Sequence, residues 1–328
     1  MGISPDQIER FKSALSSLAQ ADGLLGVAVS GGPDSLALLL LAAEAAPGRI
    51  EAATVDHTLR PGSREEAETV ANLCRGLGVQ HETLTVQWQA KPTTAIQERA
   101  RSERYRSLHT WAKSREICAL LTGHHLDDQA ETFFMRAARG SGVKGLAAMR
   151  ERAKVPGGDL PLLRPLLTWK RSELQQICAD AGVEPLLDPS NQDSQFERVR
   201  VRNTLADAGW LDPRAIAQSA ANLAEADAAL EWATNQLWDR TARFSEGEIV
   251  IDVCAFPQEL ARRIIARAVL SLGSEGIASP LRRQEVDRLL ATLASGGQCT
   301  LRGVLCEGGA HWRFVPAPHR TRREQKQR

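Results

Sequence analysis

The stretch LLGVAVSGGPDSLALLLLAAEAA, Leu24–Ala46, decides how the rest of the chain is read. It opens with a short apolar run, Leu24 to Val29, that stops at SGGPDS and resumes from Ser35 to Ala46 as almost unbroken Leu and Ala. The first run has the length of a strand. The second is too long for a strand and suits a buried helix. Between them lie Ser30, Gly31, Gly32, Pro33, Asp34 and Ser35. Two glycines let the backbone wrap an anion, and the helix N-terminus directs unpaired N–H groups and positive dipole at it. Ser30 and Ser35 add hydroxyl donors. No Lys follows the second Gly, so this is not a Walker A loop. A Gly-rich turn with a helix cap at Asp34 is the plain alternative; the full hexapeptide between strand and buried helix is the more specific pattern.

Working outward, residues 4 to 21 carry Ile8, Phe11, Leu15 and Leu18 at helical spacing. Downstream, strands are expected at Ile50–Val55, Val79–Val86 and Ile117–Thr122. They alternate with helices near Ser63–Gly76, Thr94–Arg115 and Asp127–Arg139. That alternation implies an α/β domain with a mostly parallel, Rossmann-like sheet and helices on both faces. Such sheets bind ligands at the carboxyl ends of their strands, and every unusual residue cluster in the first half follows a strand.

After about Gly157 the pattern changes. Pro156, Pro161, Pro165, Pro185 and Pro189 punctuate a linker-like region with one helix, Thr168–Ala181. Asp212-Pro213 is a good start for a long Ala-rich helix to about Arg243. Two more helices, Gln258–Leu272 and Leu281–Ala294, and a hairpin-like segment, Cys299–Val315, follow. The expected organisation is an N-terminal helix (1–20), a nucleotide-binding catalytic domain with its linker (21–207), a smaller, mostly helical domain (208–318) and a basic, disordered tail (319–328).

Length and composition bound the alternatives. A chain of 328 residues exceeds one comfortable core and suggests two domains or three small ones. The longest apolar run, Leu36–Ala43, ends at Glu44, well short of the roughly 20 residues of a spanning helix. The charged N-terminus (MGISPDQIERFK) is not expected to be a secretory signal. Cysteines at 74, 118, 178, 254, 299 and 306 include no C-x-x-C pair, which fits a reduced, cytoplasmic protein and signals no zinc ribbon. The formal charge of +1 conceals 41 Lys and Arg of which only seven are Lys. A GC-rich genome accounts for such a bias; so does a role in phosphate and RNA contacts, to which the planar guanidinium is suited.

Three further clusters carry chemistry. VDHTLRPGS, Val55–Ser63, sets Asp56, His57 and Arg60 at a strand end where a nucleotide base and ribose would lie, although a strand-end Asp-His is often only a turn. IQERARSERY, Ile96–Tyr105, places Arg101, Arg104 and Tyr105 on adjacent turns of one helix, with Glu98 three residues before Arg101. By itself that is a solvated, salt-bridged helix. GHHLDDQAET begins at Gly123 and puts His124, Asp127, Asp128 and Glu131 at spacings of three and four. Acids are favoured at any helix N-terminus, but paired histidines and three carboxylates after a strand point to a divalent-metal site, and carboxylates favour Mg²⁺ over Zn²⁺.

SGGPDS resembles the PP-loop of the N-type ATP pyrophosphatases, which adenylate a substrate and release pyrophosphate. With VDHTLR, ERARSERY, GHHLDDQAET, RAARGSGVKGLAAM and DPSNQDSQFERVRVR in order, the chain from Leu24 to Asn203 resembles the tRNA(Ile)-lysidine synthase family. The resemblance implies an ATP- and Mg²⁺-dependent ligase. It would activate C2 of the wobble cytidine in the CAU anticodon of tRNA(Ile), after which the ε-amine of L-lysine displaces AMP. It further implies that Ser30 to Ser35 contact the ATP phosphates, with Asp56, His57, Gly123 and His124 completing the nucleotide site. Asp34 with Asp128 (or Asp127) would hold Mg²⁺, and Arg101 and Arg104 would stabilise phosphate charge. Glu131 would meet the lysine, and Asp188, Asn191, Arg198, Arg200 and Arg202 would lie at the active-site or tRNA-facing edge.

The resemblance thins after Trp210, where only an Ala/Leu-rich helical character persists, and the chain is too short for the further C-terminal domain of long family members. That segment would serve equally to pack the chain, to form a homodimer or to support a tRNA stem. Competing readings are a PP-loop tRNA 2-thiocytidine-type thiolase, opposed by the lack of C-x-x-C, a glutamine-fed PP-loop ligase, opposed by the lack of a preceding amidotransferase domain, and a non-catalytic RNA-binding protein, opposed by the intact Ser30, Asp34, Asp127 and Asp128.

Overall fold

The computed structural model describes residues 2–19, 22–59, 62–88, 94–186, 195–253, 255–273 and 281–318. The chain divides into two compact units, Met1–Ala224 and Glu225–Arg328.

The first unit runs α1 (Pro5–Leu18), β1 (Leu25–Ala28), α2 (Pro33–Ala45), β2 (Ile50–Asp56), α3 (Ser63–Gly76), β3 (Gln80–Thr85), α4 (Ile96–Ser114), β4 (Ala119–Leu121) and α5 (Leu126–Ala137). It continues with α6 (Val143–Leu146), β5 (Arg152–Lys154), β6 (Pro161–Leu163), α7 (Arg171–Asp180), α8 (Glu197–Asp207) and the start of α9 (Pro213–Thr241). Its strands form one sheet in the order β3-β2-β1-β4-β6-β5, parallel except for β5. From β1 the chain moves outward to β2 and β3, then returns to the other side of β1 with β4. The reversal makes β1/β4 the topological switch point, where a crevice opens beyond the strand ends.

Alternating side chains supply both faces of this sheet. Leu25, Val27, Ile50, Ala52, Ala119 and Leu121 pack beneath α2 with Phe11 of α1 and Leu174 and Ile177 of α7. Ala53 and Leu120 face the other way, toward Tyr105, Leu108, Trp111 and Ala112 of α4. The Leu/Ala run from Leu36 to Ala42 is buried throughout because α2 is covered by α1 and α7 as well as by the sheet. Arg10 ties that layer together, stacking 4.0 Å over the Trp169 ring and pairing with Glu173 at 2.8 Å. Truncating a side chain such as Leu39 to Ala would cost about 2–5 kcal/mol.

The second unit holds the end of α9, β7 (Ala242–Ser245), β8 (Glu248–Asp252), α10 (Gln258–Leu272), α11 (Arg283–Ala294), β9 (Gln298–Leu301), β10 (Val304–Glu307) and β11 (His311–Pro316). Five antiparallel strands in the order β7-β8-β11-β10-β9 pack Ile249, Ile251, Val304, Phe314 and Trp312 against Ile264, Ile265, Leu289 and Leu293 of α10 and α11. The hairpin expected at 299–315 is therefore the centre and edge of a larger sheet, so the unit is helical with a substantial β layer. Cys299 and Cys306 face each other in register across β9 and β10, both as free thiols. The division between units falls at Ala224/Glu225, inside α9, not at 207/208; Gly209 and Pro213 mark only where that helix begins, and no Pro or Gly marks the division within it. The region read as a linker also holds α8, whose polar composition gives it almost no apolar stripe. The tail from 319 lies outside the described residues. No helix among the described residues is long and apolar enough to cross a membrane.

Candidate active site

Two strand-end loops meet at the switch point. After β1, Gly31 adopts φ +82°, a conformation that favours glycine, and a Cβ there would also push the Leu186 side chain aside, at 2.4 Å from its Cδ1. Gly32, not Asp34, is the N-cap of α2, and Pro33 occupies the first turn, where its missing N–H costs nothing. The Ser30 N–H donates to Ser35 Oγ (3.1 Å), and the Ser35 hydroxyl donates to the Gly32 carbonyl (2.9 Å). Ser35 thus staples the loop from within, and Asp34 points out of the first turn with its Oδ1 buried and without a hydrogen-bond partner.

After β4, Gly123 passes so close to this turn that a Cβ would lie 2.7 Å from the Asp34 carbonyl oxygen. His125 follows, fully buried, and links the acids: its Nε2 lies 3.4 Å from Asp34 Oδ2 and 3.6 Å from Asp128 Oδ2, and its Nδ1 lies 3.5 Å from Asp127 Oδ2. Burial would lower the His125 pKa, but the carboxylates of Asp127, Asp34 and Asp128 around the ring outweigh it and raise the pKa to about 9. Asp127 also accepts the Arg171 N–H at 2.9 Å. Against the opposing effect of burial, that bond and His125 bring its carboxyl to about 2. Asp128 accepts the His125 N–H at 3.1 Å, and although burial works the other way, His125 and Arg198 lower its pKa.

These groups border a cavity of about 710 Å³ reached by Ser30, Asp34, Asp56, His57, Gly123, His124, Asp128, Arg104 and Arg198, along with Tyr105 and Phe196. Asp127, Arg101 and Glu131 do not line it. Asp56 accepts the Thr58 N–H at 2.8 Å and so shapes the end of β2. Burial first, then the Arg104 charge, lowers the His57 pKa. His124 bonds Thr122 Oγ1 through Nδ1 at 2.9 Å. Burial, with Arg164, Arg198 and Arg101 and against the pull of Asp128, drives its pKa down to about 3, so the ring is neutral. Arg101 and Arg104 lie 5.0 and 5.4 Å from the Tyr105 ring centroid, and burial together with Arg101 and Arg198 lowers the Arg104 pKa.

Glu131, 1% exposed, accepts Arg202 Nε on Oε1 and Arg198 Nε on Oε2, each at 2.7 Å, with Arg171 Nη2 at 3.6 Å. Arg198 Nη2 is also 3.3 Å from Asp128 Oδ1. A lysine ammonium could therefore meet Glu131 only if one guanidinium let go. Arg200 points elsewhere, donating to the Gln195 carbonyl at 2.8 Å. Arg60, Asp188 and Asn191 lie outside the described residues.

Sequence reasoning passed over His125, Arg171, Phe196 and Arg164. His125 lies inside a quoted motif, yet only the fold reveals its burial. Arg164 follows β6, is 8% exposed, donates to the Arg150 carbonyl at 2.6 Å and leaves its Nε without a partner. No motif marks it. Together the residues form a cavity with an anion-binding loop, two inward carboxylates and a positive wall. It suits a polyphosphate with a hard cation.

Residues 4–208 match the PP-loop domain family. The chain is 46% identical to a tRNA(Ile)-lysidine synthase of Novosphingobium aromaticivorans over 96% of this chain and 95% of that one. It is 41% identical to the Zymomonas mobilis tRNA(Ile)-lysidine synthase over 96% and 94%. Among solved structures, the U34-tRNA thiolase NcsA from Methanococcus maripaludis, with its [4Fe-4S] cluster, superposes with a TM-score of 0.57 at 16% identity. That match covers 67% of this chain and 79% of that one and shows a shared fold. With near full-length identity of this order, and with the PP-loop and the β4–α5 carboxylates converging at the switch point, this chain belongs to the tRNA(Ile)-lysidine synthase family.

Proposed function

We propose that this protein ligates L-lysine to C2 of the wobble cytidine of a CAU-anticodon tRNA(Ile), in the cytoplasm, using ATP. The convergence of Asp34 and Asp128 with Arg104 and Arg198 on one cavity, beside a loop built to hold an anion, carries this reading. In the first step the C2 carbonyl oxygen bonds to the α-phosphorus and pyrophosphate leaves. In the second the lysine ε-amine adds at C2, and AMP departs with that oxygen. The loop amides of the Ser30–Ser35 turn would bind the departing pyrophosphate, and the guanidinium groups would offset charge that builds on the phosphates.

Asp34 and Asp128 fit Mg²⁺: both offer hard oxygen donors to the cavity, and Asp34 Oδ1 has no other partner. Among the described residues no group of three or more His, Cys, Asp or Glu could cage a metal, so such an ion would complete its shell with phosphate oxygens and water. When bound it would neutralise phosphate charge. Glu131 would reach lysine only by exchanging a guanidinium contact for the substrate ammonium.

Asp34→Ala should abolish AMP release from ATP in the presence of lysine and tRNA while tRNA binding persists. Retained turnover would remove Asp34 from the mechanism. Among the described residues no cysteine lines the cavity, which argues against the thiolase reading. AMP release that needs a sulfur donor and not lysine would reinstate it.

A further inference from the structure

Asp127 and Asp128 are neighbours on one helical turn, yet the fold treats them differently. Asp128 lines the cavity; Asp127 does not. Asp127 Oδ2 receives the Arg171 N–H at 2.9 Å and faces His125 Nδ1 at 3.5 Å. The other imidazole nitrogen, Nε2, lies 3.4 Å from Asp34 Oδ2, on the opposite loop of the switch point, and 3.6 Å from Asp128 Oδ2. His125 is 0% exposed, so water does not reach the ring; Arg171 Nη2, 3.5 Å from Nε2, shares that edge with the two carboxylates. A chain therefore runs from the α7 N-terminus through Asp127 and His125 to the two carboxylates that face the cavity.

We infer that Asp127 and His125 are positioning residues, set beneath the Asp34/Asp128 pair to fix its separation and orientation for a divalent cation bound with ATP, and that Asp127 is not itself a ligand. This rests on the proposed nucleotide site and assigns its supporting layer. A carboxylate that orients an imidazole, which in turn orients the liganding oxygens, is a common way to hold a metal site in shape. Asp34 sits on α2 and Asp128 on α5, so nothing in the covalent chain keeps the two apart or together. Gly123 brings the loops into contact, and His125 spans the two carboxylates from below. The unpartnered Asp34 Oδ1 is the atom this arrangement leaves for the cation.

The test measures binding of Mn²⁺ with ATP by the electron paramagnetic resonance of free Mn²⁺, a readout independent of lysidine formation. Asp128→Asn should remove ATP-dependent Mn²⁺ binding. His125→Gln and Asp127→Asn should each weaken it about tenfold without abolishing it, and the double variant should be no worse than the weaker single, because both act through one chain. In turnover, high Mg²⁺ should restore both single variants, and KM for lysine should move less than threefold. Asp127→Asn behaving like Asp128→Asn, with His125→Gln unaffected, would make Asp127 a ligand and overturn the assignment. Unchanged Mn²⁺ affinity in both single variants would reduce the pair to packing. Should His125→Gln fail to fold, Asp127→Asn decides the matter alone, since its side chain is 35% exposed and isosteric. A wild-type protein that binds Mn²⁺ and ATP without modifying tRNA would sink the proposed function and leave this assignment standing.

Discussion

Gly123→Ala isolates the contact on which the site depends. Gly123 has no positive φ, so alanine can adopt its backbone conformation, and in open space the exchange would stabilise by about 0.4–1 kcal/mol. Here the added Cβ would lie 2.7 Å from the Asp34 carbonyl oxygen, 2.9 Å from its carbonyl carbon and 3.1 Å from the Ser35 nitrogen. All three are backbone atoms of the first turn of α2 and cannot rotate aside. Overpacking of this kind costs about 1–3 kcal/mol, for a net loss of up to about 2.5 kcal/mol. Relief to ordinary contact needs the two loops to part by roughly 0.7 Å, which also parts Asp34 from Asp128. A misplacement near 1 Å can cost about 100-fold in rate, so AMP formation should fall about 10- to 100-fold. Urea denaturation and lysine-dependent AMP release read the two effects. Gly32→Ala is the comparison without a clash: its nearest neighbour would be Ser30 Oγ at 3.7 Å, and the loss of about 0.5–1 kcal/mol reflects only the poorer N-cap. A Gly123→Ala protein at least as stable as wild type and fully active would refute the loop contact.

Two further outcomes follow from buried titratable groups. His125 has a pKa of about 9 in the fold against 6.5 for the free side chain, so its stabilisation is complete below pH 6.5 and disappears as pH rises through 9. The shift amounts to about 3 kcal/mol at most, counted once for the His125–Asp127 pair. The urea midpoint in EDTA should fall between pH 7 and 10, and His125→Gln should flatten that fall; parallel curves would contradict the ion pairing. Burial raises the thiols of Cys74 and Cys178 to about 11 and, with Cys299 nearby, that of Cys306 to about 12. Native protein should therefore resist alkylation at these three positions at pH 8, and labelling as fast as in urea would show the cores to be open.

Much of the catalytic unit is legible in the sequence because its signals are local. The Leu/Ala run of α2 marks a helix buried on all sides, and the helices expected near Ser63–Gly76 and Gln258–Leu272 have those bounds in the structure. The short, mostly apolar stretch of β2 and the glycines of the PP-loop likewise announce themselves. What failed was non-local. The strands β5, β6, β7 and β8 are three to five residues long and acquire meaning only from partners far along the chain. Helix α8 went unread because its inward face carries Arg198 and Arg202, whose burial depends on Glu131 from α5. The same holds for the site: motif residues placed Asp34 near Asp128, whereas the differing roles of Asp127 and Asp128 depend on which face of α5 meets α7. Arg164 carries no signal at all beyond its place after a strand.

The most direct test of the central claim is the mass of the wobble nucleoside after reaction. Unmodified CAU-anticodon tRNA(Ile) is incubated with the protein, ATP, Mg²⁺ and isotopically labelled lysine, then digested to nucleosides. The account predicts a cytidine heavier by one lysine less one water, carrying the label, at that single position, with one AMP released per lysine incorporated. A cytidine that gains sulfur, or stays unchanged while ATP is consumed, would contradict it.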